Sequence, residues 1–205
     1  MAKNIHPTAY IATDVVLGDD VTVGPFAVIE TGVEMGANCQ IGAHAVVHGH
    51  VKMGVGNILH PHAVLGGLPQ DTAFKASTDS WLIIGDNNNF REGFTAHRAS
   101  KENEATQIGS GCYFMNNSHV AHDCTIGNNT IFANNVAIGG HVEVGSNVFM
   151  GGAVVVHQFC RGFFCHSTGH DRLKYGCYSV YVDWRKTCQA LSFKHHRFKT
   201  LGYNR

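Results

Sequence analysis

The sequence predicts an all-β protein, a parallel β-helix of hexapeptide repeats, and three observations support this prediction. Aliphatic residues recur at every sixth position, glycine often follows them directly, and small side chains recur four places after them. Neither an amphipathic helix, with a period of about 3.6, nor a free-standing strand, with a period of about 2, produces such a pattern. A hexapeptide solenoid does, because each repeat unit forms one short strand and one turn.

The aliphatic anchors are expected to point inward, and the glycines and asparagines that follow them suit the corners of the coil. Three units per coil and a left-handed winding are known properties of hexapeptide solenoids, and we expect both here. Residues three units apart then stack at the usual strand spacing of about 4.8 Å. The anchors are Ile5, Ile11, Leu17, Val23, Ile29, Met35, Ile41, Val47, Met53, Leu59, Leu65, Ile84, Phe90, Ala96, Ile108, Phe114, Val120, Ile126, Phe132, Ile138, Val144, Met150 and Val156.

Four cysteines, Cys39, Cys112, Cys124 and Cys160, lie four places after an anchor. Other units hold alanine, valine, serine or threonine there, so we expect a second inward position for small side chains. These cysteines are therefore predicted to be core residues. Cys124 and Cys160 share a face but lie two coils apart, about 9–10 Å, which is too far for a disulfide.

Two segments, residues 66–83 and 98–107, interrupt the repeat, and we expect loops that leave the solenoid and carry binding residues. The repeat ends at Cys160. This predicts one hexapeptide-repeat domain over residues 1–160 and a divergent basic tail of unknown structure over residues 161–205. The tail carries nine lysines and arginines against two aspartates, a net charge of +7, which indicates an acidic partner.

Composition excludes several classes of protein. Hydrophobic residues make up 44% and charged residues 15% of the 205 residues, which is typical of a globular chain. A formal net charge of zero argues against a nucleic-acid or membrane-surface role. No stretch has the length of a membrane span, and the first residues resemble no signal peptide. We therefore expect a cytoplasmic protein with reduced cysteines.

Histidines gather on one predicted corner of the solenoid. His122, His141 and His157 lie within one or two places of equivalent positions on successive coils, with His119 and Asp123 beside the first. A distance of about 10 Å between His122 and His157 leaves room for a substrate. These residues could be turn histidines without a function, zinc ligands, or general acid–base groups. No Cys-x-x-Cys pair supports zinc.

Five short motifs resemble those of one enzyme family. Three lie on the histidine corner, HVAHDC at residues 119–124, IGGHV at residues 138–142 and VHQFC at residues 156–160. Two others, GGLPQD at residues 66–71 and AHR at residues 96–98, are similar to the two loop motifs of the family. The family is that of the acyl-[acyl-carrier-protein]:UDP-N-acetylglucosamine O-acyltransferases, and the resemblance covers residues 1–160 in order.

The resemblance implies a left-handed β-helix that forms a homotrimer, with three active sites between neighbouring subunits. It implies transfer of an R-3-hydroxyacyl chain from acyl carrier protein to the 3-hydroxyl of UDP-N-acetylglucosamine, the first step of lipid A biosynthesis. Neither a cofactor nor a metal is expected. The length of the acyl chain, and the choice between a 3-hydroxyl and a 3-amino acceptor, stay open.

The resemblance also assigns roles to single residues. It implies that His122 is the general base, that Asp123 orients it, and that the backbone N–H of Gly140 stabilises the oxyanion. A hydrogen bond between His122 and Asp123 is feasible because both lie at a corner, where the strict alternation of a strand lapses. The implied substrate-binding residues are Gln70, Asp71, His97, His119, His141, His157 and Gln158.

Two alternative functions stay open. One is a zinc enzyme similar to the γ-class carbonic anhydrases, which share the solenoid and bind zinc through histidines. The other is a non-catalytic, truncated solenoid that only assembles or binds, and the irregular tail is the main observation in its favour.

Overall fold

A computed structural model describes residues 4–163 of the chain. These residues form twenty-four short strands, numbered β1 to β24 in chain order, in three parallel sheets of eight strands each. Successive strands lie in different sheets, so that three strands make one coil of a left-handed β-helix, and the predicted fold class is confirmed. A helix able to cross a membrane is absent from residues 4–163.

Each sheet is described by the order of its paired strands. The first sheet holds β1 (Asn4–Ile5), β4 (Thr22–Val23), β7 (Gln40–Ile41), β10 (Ile58–Leu59), β13 (Asn89–Phe90), β16 (Tyr113–Phe114), β19 (Ile131–Phe132) and β22 (Phe149–Met150). The second sheet holds β2 (Tyr10–Ile11), β5 (Val28–Ile29), β8 (Val46–Val47), β11 (Val64–Gly67), β14 (Thr95–His97), β17 (His119–Val120), β20 (Ala137–Ile138) and β23 (Val155–Val156). The third sheet holds β3 (Val16–Leu17), β6 (Glu34–Met35), β9 (Val51–Met53), β12 (Trp81–Ile84), β15 (Ala105–Ile108), β18 (Thr125–Ile126), β21 (Glu143–Val144) and β24 (Arg161–Phe163).

Two excursions leave the solenoid at the same corner, where the chain passes from the second sheet to the third. The first, residues 68–80, connects β11 to β12, and the second, residues 98–104, connects β14 to β15. Both are shorter than the interruptions at residues 66–83 and 98–107 that the anchor pattern indicated. The strands reach farther because backbone pairing continues through residues such as Trp81 and Ala105 without an aliphatic anchor.

The solenoid also continues a little beyond the last anchor. Arg161–Phe163 forms β24, which pairs in parallel with β21, so that three residues of the predicted tail take part in the third sheet. The remainder of that tail, residues 164–205, lies outside the described residues.

The anchors fill the interior as predicted, apart from those of the first coil. Every anchor from Val23 onward is buried. Ile11 and Leu17 are only partly buried, and Ile5 is 41% exposed, so the prediction that Ile5 points into a closed core is wrong. The reason is that the first coil has a neighbouring coil on one side only, and its interior is open at the end.

The second inward position, four places after each anchor, also holds the small side chains that were predicted. Cys39, Cys112, Cys124 and Cys160 are buried and form no disulfide. Burial raises the pKa of the Cys124 thiol to about 11, so that it is protonated at neutral pH. These thiols contribute packing volume to the core and are unreactive there.

The middle of the core is aromatic, and its packing leads to a prediction about stability. The ring of Phe114 stacks on Phe90 with centroids 5.2 Å apart and meets Phe132 edge to face at 5.1 Å. Phe114→Ala is therefore expected to lower the free energy of unfolding by about 3–5 kcal/mol, measured by denaturant unfolding. Thr125→Ala, at an exposed strand position, should change it by about 0.5 kcal/mol or less. Equal effects of the two variants would contradict this packing.

Candidate active site

The predicted histidine corner lies where the second sheet turns into the third. The residues that follow β17, β20 and β23 stack on one another there. In each of these coils the third residue after the anchor has a left-handed backbone, with φ of 59° at Asp123, 59° at His141 and 65° at Phe159. This turn brings adjacent side chains to one side of the chain, which a strand would not allow.

His122 and Asp123 form a hydrogen-bonded pair at this corner. The Nδ1 of His122 lies 2.6 Å from Oδ2 of Asp123, and the two side chains are 13% and 10% exposed. Since Nδ1 faces the carboxylate, Nε2 is left to face a substrate. The pair has the arrangement of an imidazole whose tautomer and orientation are set by a carboxylate.

The Asp123 carboxylate is held by further groups that the sequence did not predict. Ser100 donates its backbone N–H to Oδ1 at 3.0 Å and its hydroxyl to Oδ2 at 2.6 Å, while Asp123 N–H donates to Thr106 Oγ1 at 2.8 Å. Burial by itself would raise the pKa of Asp123, but the hydrogen bonds from His122 and Ser100, with the nearby His141, outweigh burial and lower the pKa to about 2. Asp123 is therefore ionised at neutral pH.

Gly140, one coil beyond His122, packs directly against the imidazole. A Cβ atom at Gly140 would lie 2.7 Å from Cε1 and 3.0 Å from Nε2 of His122, so the ring occupies the space that any other residue would fill. The backbone N–H of Gly140 donates no hydrogen bond to another described residue. It is thus a donor available to a ligand next to His122.

His97 and His119 form a second pair on the side of the preceding coil. Their rings meet edge to face with centroids 4.7 Å apart, and Nδ1 of His119 lies 2.7 Å from Thr95 Oγ1. His97 is buried, and its Nδ1 has no hydrogen-bond partner among the described residues. Burial, together with the positive charge that His119, His122 and His48 can carry, lowers the pKa of His97 to about 4. Burial also lowers the pKa of His119.

The lowered pKa of His97 predicts how stability depends on pH. Between pH 6.5 and about 4 the unfolded chain binds a proton that the folded chain does not, so the free energy of unfolding falls as the pH falls through this range. The contribution of His97 is about 3 kcal/mol at the acid end. His97→Gln should reduce the loss of stability between pH 7 and pH 4 by an amount of this order (~3 kcal/mol) in denaturant titrations. An unchanged dependence on pH would contradict the burial of a neutral His97.

Of the remaining predicted residues, His141 lies close to Asp123, whereas His157 and Gln158 lie farther along the same edge. Nε2 of His141 lies 3.5 Å from Asp123 Oδ2, and its ring stacks on Phe159 with centroids 4.6 Å apart. His157 and Gln158 are exposed on the last described corner, with His157 Nδ1 3.1 Å from the Gln158 carbonyl oxygen. They extend the same edge by one coil, and no hydrogen bond, ion pair or ring contact joins them to His122 among the described residues.

Gln70 and Asp71 lie in the first excursion and are exposed. Asp71 Oδ1 accepts a hydrogen bond from the Ala73 N–H at 2.9 Å. Neither residue has a hydrogen bond or ion pair with His122 or Asp123 among the described residues, so these bonds do not connect all of the predicted site residues in a single subunit.

A buried arginine that the sequence offered only as part of a motif joins the two excursions. The guanidinium of Arg98 donates to the carbonyl oxygens of Ala76 at 2.9 Å, Thr78 at 3.0 Å and Ser80 at 3.3 Å. Arg98 is 3% exposed, and burial lowers its pKa. The excursion that carries Gln70 and Asp71 is therefore attached to the excursion that carries Ser100.

Three of these side chains could also hold a metal ion. His122, Asp123 and His141 each offer one ligand atom, and these atoms lie within 4.8 Å of one another. Two imidazoles and a carboxylate suit zinc. In the structure, however, the carboxylate already accepts hydrogen bonds from His122 and Ser100, which is the arrangement of an acid–base pair.

Comparison with known proteins gives a consistent result. Residues 105–140 match the family described as bacterial transferase hexapeptide (six repeats). The acyl-[acyl-carrier-protein]--UDP-N-acetylglucosamine O-acyltransferase of Aliarcobacter butzleri (strain RM4018) is 42% identical over 161 residues, which are 78% of this chain and 61% of that protein.

Two solved structures show the same relationship. UDP-N-acetylglucosamine O-acyltransferase from Moraxella catarrhalis RH4 has a TM-score of 0.73 and 36% identity, over 77% of this chain and 61% of that chain. UDP-N-acetylglucosamine acyltransferase from Francisella novicida has a TM-score of 0.75 and 34% identity, over 77% of this chain and 57% of that chain.

The matches cover only part of the relatives. The aligned residues span between 38% and 61% of the length of the curated relatives, several of which are 42–44% identical to this chain. These relatives are named O-acyltransferases, the class of enzyme that the motifs resembled. The chain is thus a hexapeptide-repeat protein related to the acyl-[acyl-carrier-protein]--UDP-N-acetylglucosamine O-acyltransferases, and the resemblance predicted from its motifs is confirmed.

Proposed function

We propose that the protein transfers an R-3-hydroxyacyl chain from acyl carrier protein to the 3-hydroxyl of UDP-N-acetylglucosamine, the first step of lipid A biosynthesis. The observation that carries this proposal is the His122–Asp123 hydrogen bond, 2.6 Å long, at a corner where the imidazole packs on Gly140. The names of the relatives supply the acyl carrier protein and the sugar nucleotide.

In the proposed reaction His122 acts as the general base. A sugar hydroxyl is a weak nucleophile, and its attack on a thioester needs a base within hydrogen-bond reach that titrates near the working pH. The Nε2 of His122 accepts the proton of the 3-hydroxyl while the oxygen attacks the thioester carbonyl carbon. Asp123, ionised and hydrogen-bonded to Nδ1, stabilises the imidazolium that forms.

The remaining steps use Gly140 and the same imidazole. The carbonyl oxygen becomes an oxyanion in the tetrahedral intermediate, and the free N–H of Gly140 stabilises it in a site with little exposure to water. When the intermediate collapses, the C–S bond breaks and the proton on His122 passes to the leaving sulfur. The carrier thiol and an ester on the sugar are the products.

The other predicted residues are proposed to bind the substrates. Neutral His97, beside His119, offers hydrogen bonds to sugar hydroxyls without introducing a charge. Gln70 and Asp71 are proposed to hold the sugar nucleotide, and His141, His157 and Gln158 to contact the donor or the acceptor along the corner. The proposal includes no cofactor.

A homotrimer is part of the proposal, with each site completed by a neighbouring subunit. The outer face of the second sheet carries an apolar strip, interrupted by Thr95 and His119, in which Tyr10 and Val155 are 61% and 69% exposed and Val28, Val46 and Val64 are partly buried. Such strips are typical of subunit contacts. A site shared between subunits also suits Gln70 and Asp71, which have no hydrogen bond or ion pair with His122 among the described residues.

All four described cysteines are reduced, without a disulfide, which fits the cytoplasm that we propose as the compartment. The net charge of +7 over residues 161–205 favours an acidic partner such as acyl carrier protein, with an association rate that falls as salt is added. No role with nucleic acids is proposed.

The test is an acylation assay with a panel of R-3-hydroxyacyl carrier-protein thioesters and UDP-N-acetylglucosamine, with the 3-amino analogue as a second acceptor. Mass spectrometry of the sugar nucleotide should show one added acyl chain, and the panel should reveal the preferred chain length. A folded protein that acylates neither acceptor would support the non-catalytic alternative. Zinc-dependent hydration of carbon dioxide would support the anhydrase-like alternative.

Light scattering tests the assembly separately. A trimer is expected at micromolar concentration, and a monomer would contradict sites shared between subunits.

A further inference from the structure

Ser100 lies at the second excursion, immediately after the buried Arg98 and Ala99. Its backbone N–H and its hydroxyl both donate hydrogen bonds to the carboxylate of Asp123, 23 residues later in the chain. Its backbone N–H donates to Asp123 Oδ1 at 3.0 Å, and its hydroxyl donates to Asp123 Oδ2 at 2.6 Å. The excursion therefore reaches back to the corner that holds the His122–Asp123 pair.

These two bonds fix the carboxylate at both oxygens. Oδ2 accepts from Ser100 Oγ and from His122 Nδ1, each at 2.6 Å, while Oδ1 accepts from the Ser100 N–H. A carboxylate held in this way cannot rotate about its last torsion without breaking a charge-assisted hydrogen bond. The carboxylate therefore accepts the hydrogen bond from His122 in one fixed direction. This also fixes the plane of the imidazole ring.

The residues just before Ser100 are themselves held in place by hydrogen bonds. Arg98, two residues before Ser100, donates to three carbonyl oxygens of the first excursion. Ser80 Oγ donates to the carbonyl oxygen of Ala99, the residue before Ser100, and the Ala99 N–H donates to the Trp81 carbonyl oxygen. The position of Ser100 is thus fixed by the hydrogen bonds of Arg98 and Ala99, independently of its own bonds to Asp123.

We infer that Ser100 is a positioning residue of the proposed transferase, which holds Asp123 so that His122 keeps the orientation needed to take the hydroxyl proton. The inference rests on the proposed function for its kinetic consequences. It goes beyond that function because Ser100 itself touches no substrate and acts through Asp123.

The groups that face Asp123 are His122 on its own corner, His141 on the next coil with Nε2 at 3.5 Å, and the neutral side chains Ser100 and Thr106. Ser100→Ala removes one of the two hydrogen bonds that Oδ2 accepts, so that the carboxylate is held only by the Ser100 N–H and by His122. The orientation of the imidazole is then less firmly fixed, which should slow proton transfer more than it weakens the binding of substrates.

Three variants test this role. Ser100→Ala removes the hydroxyl and is expected to lower kcat about tenfold, with KM for both substrates within about twofold of the wild type. Ser100→Thr keeps a hydroxyl and should restore kcat to within about threefold. Ser110→Ala is the matched control, since Ser110 Oγ accepts a hydrogen bond from the Asp86 N–H on a different corner, and it should behave as the wild type.

A spectroscopic readout separates this inference from the proposed function. The proton on Nδ1 of His122 is expected to give a far-downfield ¹H resonance, assigned by its loss in His122→Asn. It should shift or broaden in Ser100→Ala and return in Ser100→Thr. This holds even if the wild type acylates no substrate, an outcome that would overturn the proposed function alone. An unchanged resonance, together with a wild-type kcat, in Ser100→Ala would overturn the positioning role.

Discussion

Replacing His122 by alanine is expected to lower turnover by about 10²–10⁴-fold, the range usual for the loss of a general base. Four histidines lie along this edge, but only His122 has a carboxylate hydrogen-bonded to its Nδ1 and packs against Gly140. The variant should fold and assemble as the wild type does, since the side chain lies at a corner and not in the core. Steady-state kinetics with circular dichroism and light scattering measure both effects.

Matched variants make this prediction specific. His44→Ala changes an exposed histidine at another corner, where its ring stacks between Phe26 and His62, and it should keep full activity. His141→Ala or His157→Ala should raise KM more than it lowers kcat, because these residues are proposed to bind substrate. Near-normal turnover in His122→Ala would remove His122 as the base, and His119 would become the next candidate.

Gly140→Ala is expected to lower turnover by about 10²-fold, although it adds only one methyl group. The new Cβ would lie 2.7 Å from the His122 ring, so the imidazole must move, and a displacement of the proposed base by about 1 Å costs a factor of this order. Steady-state kinetics of Gly140→Ala measure the loss of turnover, and thermal unfolding measures the loss of stability caused by the clash.

The chain offers a matched control for this variant. Gly152 occupies the same place, two residues after an anchor, but a Cβ there would make only an ordinary contact of 3.6 Å with the Asn134 carbonyl oxygen. Gly152→Ala should therefore leave turnover unchanged. In a His122→Ala background, Gly140→Ala should no longer reduce thermal stability. A loss of stability that persists in the double variant would show that the methyl group clashes with something other than the imidazole.

The period of six predicted the parts of the fold that depend on burial. An anchor such as Val120, and a small side chain such as Cys124 four places later, repeat because every coil has the same cross-section to fill. The same period placed His122 and His141 on one edge. It could not show that Ile5 would be exposed, since this depends on the open end of the first coil and not on the repeat.

The sequence did not identify the residues that support the His122–Asp123 pair. Ser100 and Thr106 lie in or beside the second excursion, where the phase of the repeat is lost, so that no spacing relates them to Asp123. In the sequence Arg98 is only the last residue of the AHR motif, and its structural role is visible only once its guanidinium is found buried against three carbonyl oxygens. Contacts between segments that leave the solenoid depend on three-dimensional loop paths, and a one-dimensional period carries no information about them.

The most direct measurement is the rate at which an ester forms on the 3-hydroxyl of UDP-N-acetylglucosamine, followed by mass spectrometry for the wild type and His122→Ala under identical conditions. We predict steady formation of the acylated sugar nucleotide by the wild type, and a rate reduced by about 10²–10⁴-fold in the variant. Equal rates in the two proteins, or no ester from a folded wild type with any carrier-protein thioester, would contradict catalysis by the His122–Asp123 pair.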